Sequence, residues 1–189
     1  ENNLVAAPKP PAVTDDIKQA HQHLVAGNLH DAELSYLRAL KKSPTSSELL
    51  LDLANVTLMQ NKFNDVLLYV DRHDQKHTPT SVSKRLRSVA NSGNGKLAEE
   101  AGDLPLAEKS YAQAYAANPN EPWVSLSYAK VLRKQGDSVA ANALIEKMVG
   151  SVYSHDSNVT VSHFYPTSSD YVRDRNFAAS LYYSEAGQW

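Results

Sequence analysis

A chain of 189 residues with 19 basic and 21 acidic side chains carries a formal charge of −2, so no whole-chain field draws it to nucleic acid or to an anionic membrane. It contains no cysteine, which removes disulfides, thiolate nucleophiles and cysteine-ligated zinc from consideration. The length suffices for a substantial core or a short array of repeats.

In chain order, residues 1–12 hold prolines at 8, 10 and 11 and read as a proline-rich linker. The chain does not open on a basic segment leading into an apolar run, so any export signal is expected to have been removed, and no run approaches membrane-spanning length. The stretch "GNLHDAELSYLRALKKSP" then sets Gly27, Ala32, Tyr36, Ala39 and Pro44 at steps of five, four, three and five. Further on, "GDLPLAEKSYAQAYAANP" sets Gly102, Ala107, Tyr111, Ala114 and Pro119 at the same steps, and Gly136 and Ala141 follow Gly102 and Ala107 by 34 residues. A shared period of this length predicts stacked helix-turn-helix units.

The frame places repeats one and two over 13–80 and repeats three and four over 88–150, with 81–87 left as an insertion or hinge. In each unit the glycine ends the first helix and turns the chain. The first alanine lets two helices approach. Tyrosine and the second alanine extend the same buried stripe, and proline stops the second helix. Repeat two fits least well, because Val66, Val70 and His73 stand where small or aromatic residues are expected; it is read as a helical hairpin all the same. The glycines of "NSGNGK" are expected to interrupt the first helix of repeat three, since each costs about 1 kcal/mol in a helix interior. Residues 151–172, rich in Ser, Thr and Val, read as a loop. Residues 173–189, with "NFAASLYYSEAGQW" and Gly187, read as the first helix of a truncated fifth repeat.

Across most of the chain these units resemble tetratricopeptide repeats, which implies an all-α, right-handed superhelix of helix-turn-helix repeats. A narrower resemblance lies in "AANPNEPWVSLSYAKVLRKQGDSVAANALIEKM" followed by "NFAASLYYSEAGQW". Pro122, Trp123, Leu126, Ala129, Leu132, Gln135, Gly136, Ala141 and Ala143, then Leu181, Tyr182, Glu185, Gly187 and Trp189, are similar to the periplasmic repeat region of the bacterial cellulose synthase export scaffold. That resemblance implies a periplasmic, non-catalytic scaffold. It would align an inner-membrane glucan synthase with an outer-membrane export barrel, its partners being proteins of the secretion complex and a glucan chain. The alternative is a general peptide- or protein-binding adaptor. Neither reading involves nucleic acid, membrane insertion of this segment, or a cofactor.

In tetratricopeptide arrays the first helices line the concave surface. The candidate binding residues are accordingly Lys96 and Glu99, beside Val89, Ser92 and Glu100, from repeat three, and Trp123, Leu126, Lys130, Arg133 and Lys134 from repeat four. They form a cationic strip beside an acidic one, which reads either as a binding face or as a solvated helix face. Trp123 either stacks on a sugar ring or packs on the preceding hairpin. The clamp that holds C-terminal carboxylates in chaperone adaptors would fall on Ile17, His21, Asp52, Val89 and Gly93, and none of these suits it. His21 and His23 point to different faces of a helix, and His73 and His77 share a face without a third ligand, so no metal site is assigned. Phosphate-loop, zinc-protease and serine-elbow motifs are absent, and Glu99 and Glu100 splay across a helix, so no catalytic residue is assigned.

Overall fold

Helical hairpins succeed one another along the chain in the computed structural model, which describes residues 13–150, 168–185 and 187. The hairpins are α1 (Val13–Val25) with α2 (Leu29–Lys42), α3 (Ser47–Met59) with α4 (Phe63–Lys76), α5 (Ser81–Glu100) with α6 (Leu104–Ala117), and α7 (Pro122–Lys134) with α8 (Ser138–Gly150). A last helix, α9, spans Ser168–Glu185, and no strand occurs among the described residues. The predicted linker and most of the predicted 151–172 loop lie outside the described residues. The chain divides into two compact units, Glu1–Ser83 and Lys84–Trp189.

The turns carry the repeat. Gly27, Gly102 and Gly136 sit at φ of 77°, 78° and 92°, the left-handed region that side chains disfavour. Repeat two makes the same turn with Asn61 at φ 57°, and asparagine is the residue other than glycine that best tolerates this conformation. Ala32, Ala39, Ala107, Ala114 and Ala141 are fully buried, and Tyr36 and Tyr111 nearly so. Pro44 and Pro119 stand exposed just past the ends of α2 and α6. Val66, Val70 and His73 are also fully buried, so repeat two keeps the buried stripe with different side chains.

In the first unit, buried charge reinforces the stripe. Asp16, whose side chain is 1% exposed, receives Lys42 Nζ at 2.6 Å and Arg38 Nε at 3.3 Å, which ties α1 to α2. Burial opposes the charged carboxylate, but these hydrogen bonds and charges outweigh it and leave Asp16 below its ordinary range. Glu33 receives Lys62 Nζ at 2.7 Å and Gln60 Nε2 at 2.8 Å, joining α2 to the α3–α4 turn. Its pKa is lowered by the same balance, with burial again working against the partners. His73 completes the unit. Its Nδ1–H donates to Asp74 Oδ1 at 2.8 Å, since a carboxylate only accepts, and its Nε2 accepts from the Ser47 hydroxyl at 2.9 Å.

The second unit is held mainly by apolar packing. Leu126, Ala129, Leu132, Ala141, Ile145, Met148, Ala178, Ala179 and Tyr182 form one core across α7, α8 and α9. Ala98, Ala107, Tyr111 and Val131 form another across α5, α6 and α7. Tyr182 anchors α9, with its hydroxyl donating to Asn142 Oδ1 at 2.7 Å.

Two sequence expectations are corrected and one is located in the fold. Residues 81–87, set apart as an insertion in the repeat period, form the opening turns of α5, which runs for 20 residues against 13 in α1, α3 and α7. The helix starts there because Thr80 and Ser83 cap each other, Thr80 N donating to Ser83 Oγ at 2.9 Å and Ser83 N to Thr80 Oγ1 at 3.0 Å. The glycines of "NSGNGK" do not interrupt α5, which runs for 20 residues through both. A methyl group on Gly95 would stand 2.9 Å from the Tyr111 ring, so the absent side chain is the space in which that ring packs. Finally, residues 168–172 of the predicted loop belong to α9.

Candidate functional site

Within the second unit, α5, α6, α7 and α9 contribute side chains to an open cleft of about 400 Å³. It is lined by Lys96 and Glu99 from α5, Tyr111 from α6, Ser127, Lys130, Arg133 and Lys134 from α7, and Glu185 from α9. Five of the residues singled out from the sequence therefore meet in one place. Tyr111, Ser127 and Glu185 join them from outside that set, and Tyr111 was assigned a purely architectural role.

The cleft pairs its charges across helices. Lys134 Nζ reaches Glu99 Oε1 at 2.8 Å, and the Tyr111 hydroxyl donates to Glu99 Oε2 at 2.9 Å. Burial, with that hydrogen bond next, pushes the Tyr111 phenol well above its ordinary range. Lys130 Nζ lies 2.8 Å from Glu185 Oε1, and Arg133 Nη2 lies 3.7 Å from Glu185 Oε2. Arg133 is oriented by Tyr182: its Nη1 donates to the Tyr182 carbonyl at 3.1 Å and its guanidinium carbon stands 4.8 Å from the ring centre. Lys96 reaches Glu100 along α5 at 3.9 Å, a loose pair on an exposed face. The cationic and acidic strips expected side by side are thus interlocked.

Trp123 is 40% exposed and meets Phe177 of α9 edge to face, with ring centres 6.1 Å apart. Phe177 is itself 54% exposed, so the two rings form a surface pair at the start of α7. Leu126 requires a correction: it is 4% exposed and belongs to the core around Tyr182, because its side chain turns toward α8 and α9 and away from the concave face. In the first unit, Ile17 and His21 border a shallow hollow on α1 with Thr14 and Val25. His73 and His77 have partners in protein, His77 Nε2 donating to the Thr45 carbonyl at 2.8 Å. Among the described residues, no three His, Cys, Asp or Glu side chains gather as a metal site would need. No described helix is long and apolar enough to cross a membrane.

Known proteins agree with this architecture. Residues 93–151 match the tetratricopeptide repeat family model. The cellulose synthase operon protein C of Pseudomonas fluorescens (strain SBW25) is 30% identical over 122 residues, which is 64% of this chain and 10% of that protein. The chain therefore spans about a tenth of the length of the curated relative it matches. Among solved structures, MamA is similar with a TM-score of 0.56 at 18% identity, over 89% of this chain and 85% of that one. A tetratricopeptide repeat protein from Parabacteroides merdae ATCC 43184 gives 0.55 at 16% identity, over 93% and 62%. These likenesses carry the fold, an all-helical array of helix-turn-helix units. The repeat frame and the hairpins with their left-handed turns give the described residues an all-α, tetratricopeptide-like helix-turn-helix repeat fold, and residues 93–151 match the tetratricopeptide repeat family itself.

Proposed function

We propose that the chain is a protein-binding repeat module and that its binding face is the cleft of the second unit. One observation carries this reading: Lys96, Glu99, Lys130, Arg133, Lys134 and Glu185 converge on one open surface from three successive first helices. Fold stability does not require such convergence, because the apolar core beneath is already closed by Leu126, Ala129 and Tyr182. Selection of peptides from an unbiased display library against the chain tests the reading. Sequences that bind the chain and are lost with Lys130→Glu or Lys134→Glu support it, and the absence of any enriched sequence overturns it.

A more specific reading draws on the 30% identity to cellulose synthase operon protein C. Under it, the module is a periplasmic scaffold of an exopolysaccharide export machine, spacing the synthase and the exporter, with a glucan chain passing along the first helices. Trp123 supports it, since a half-exposed indole offers a flat face to a sugar ring. Titration with cello-oligosaccharides, followed through the Trp and Tyr resonances, decides the glucan part. Saturable shifts that vanish in Trp123→Ala support a direct polymer guide. Silence leaves a module that acts through protein contacts alone.

A further inference from the structure

The cleft already holds a carboxylate in an exchangeable position. Glu185 is the last residue of α9, its side chain is 47% exposed, and Lys130 and Arg133 clasp it from α7. We propose that Glu185 occupies a carboxylate-binding position from which an acidic peptide segment displaces it, and that the Trp123–Phe177 pair receives a large apolar side chain of the same segment. This rests on the protein-binding reading above and adds to it the chemistry of the partner and the mode of entry.

Charge selects the partner's sign. The lining carries four cations, Lys96, Lys130, Arg133 and Lys134, against two carboxylates, Glu99 and Glu185, in a chain whose total charge is −2. A basic segment would have to break lysine pairs only to face the remaining cations, whereas an acidic one replaces a carboxylate with a carboxylate. The two internal carboxylates are not equivalent. Glu99 is held by Lys134 and by the buried Tyr111 hydroxyl, so it stays. Glu185 is held through exposed ion pairs, one of them stretched to 3.7 Å, and such pairs are weak enough to exchange.

Preorganisation favours the exchange. The stacking and carbonyl contact from Tyr182 fix the Arg133 guanidinium with or without Glu185, so a ligand carboxylate meets a donor that is already oriented. The second contact follows from helix geometry. Trp123 and Lys130 are seven residues apart on α7, on one face and about 10 Å apart along the axis. A peptide in the polyproline II conformation returns to the same face every three residues, after about 9 Å. The segment therefore carries its apolar side chain three positions from its Asp or Glu.

Fluorescence anisotropy with a labelled, end-capped peptide tests this. Its leucine is followed three and four positions later by glutamates, and the control carries glutamines there. The glutamate peptide is expected to bind, the glutamine peptide to bind at least about tenfold more weakly, and added salt to weaken the former selectively. Glu185→Gln is expected to raise affinity about two- to fivefold by removing the internal competitor. Lys130→Gln, whose described partner is Glu185, is expected to lower it about tenfold, and thermal melts confirm that both variants stay folded. Equal binding of the two peptides, binding of neither, or an affinity unchanged or lowered by Glu185→Gln overturns the proposal. The display selection separates the two levels: enriched sequences without an acidic preference overturn this inference and keep the protein-binding reading, while no enrichment at all overturns both.

Discussion

The two units use charged residues in opposite ways. In the first, Asp16 and Glu33 lie buried between helices and are tied to Lys42, Arg38 and Lys62, so charge fastens the fold. In the second, alanine, leucine and tyrosine close the helix interfaces, while the ion pairs of Lys130, Arg133 and Lys134 lie open in the cleft. The residue types are the same. The carboxylate's surroundings decide what the pair does: Asp16 is buried and keeps its cations, whereas Glu185 is 47% exposed and its pairs exchange with whatever arrives.

The comparison breaks most readily at Gly95. If packing holds the second unit, Gly95→Val forces the Tyr111 ring out of its seat and lowers stability by about 2–3 kcal/mol, read as loss of hydrogen-exchange protection across α5 and α6. A loss under about 0.5 kcal/mol would mean that packing at this interface is not decisive. Next comes Asp16→Asn, expected to cost the first unit about 2 kcal/mol in urea unfolding. The cost stays below that of a fully buried pair because the side chains of Lys42 and Arg38 are 33% and 48% exposed and can turn to water. The same carboxylates set an acid limit. Since Asp16 and Glu33 have lowered pKa values, their contribution is present above the ordinary carboxylate range near pH 4 and disappears as pH falls through their folded-state values. Exchange measured in the first unit at decreasing pH should follow that loss, and in Asp16→Asn the loss should shrink.

Asp52 sharpens the comparison with the opposite sign. Its pKa is raised, first by burial and then by Glu48 beside it, so its charge burdens the fold at neutral pH and the burden lifts as pH falls. Asp52→Asn should stabilise the first unit by less than about 1 kcal/mol at pH 7 and by nothing measurable below about pH 4. The smallest effect belongs to the cleft. Glu185→Gln should shift the melting free energy by less than about 0.5 kcal/mol, and a larger loss would make that pair part of the fold.

Much of the frame was legible in the sequence because the repeat glycines and alanines answer local needs, a left-handed turn and a close helix approach, that few residues meet. Repeat two was placed in register but fitted the signature least, because Asn61 makes the glycine's turn 34 residues after Gly27, and Val66, Val70 and His73 fill the stripe with other shapes. The start of α5 was missed because Thr80 and Ser83 cap each other, a short signal that straddles the boundary between repeat two and the segment set aside as an insertion. Its continuity was missed because the cost of Gly95 is offset by a ring that approaches from another helix. In the cleft, Lys130 and Lys134 were visible as helix positions, but their pairing was not. Glu185 and Glu99 lie 55 and 35 residues from them in sequence, and no local pattern announces such a meeting. Leu126 shared the concave register and still turned inward, since α9 offers it a core that spacing alone does not reveal.

The seat of Tyr111 on Gly95 has an evolutionary reading. A repeat array grows by copying units, and a copied unit works wherever its neighbours accept the same signature. Here the signature tyrosine of α6 fits because one position on α5 carries no side chain, and it then steadies Glu99 in the cleft. The two positions are sterically coupled: a side chain at 95 would call for a smaller residue at 111, and a unit transplanted without its glycine would bring its tyrosine to a place already filled.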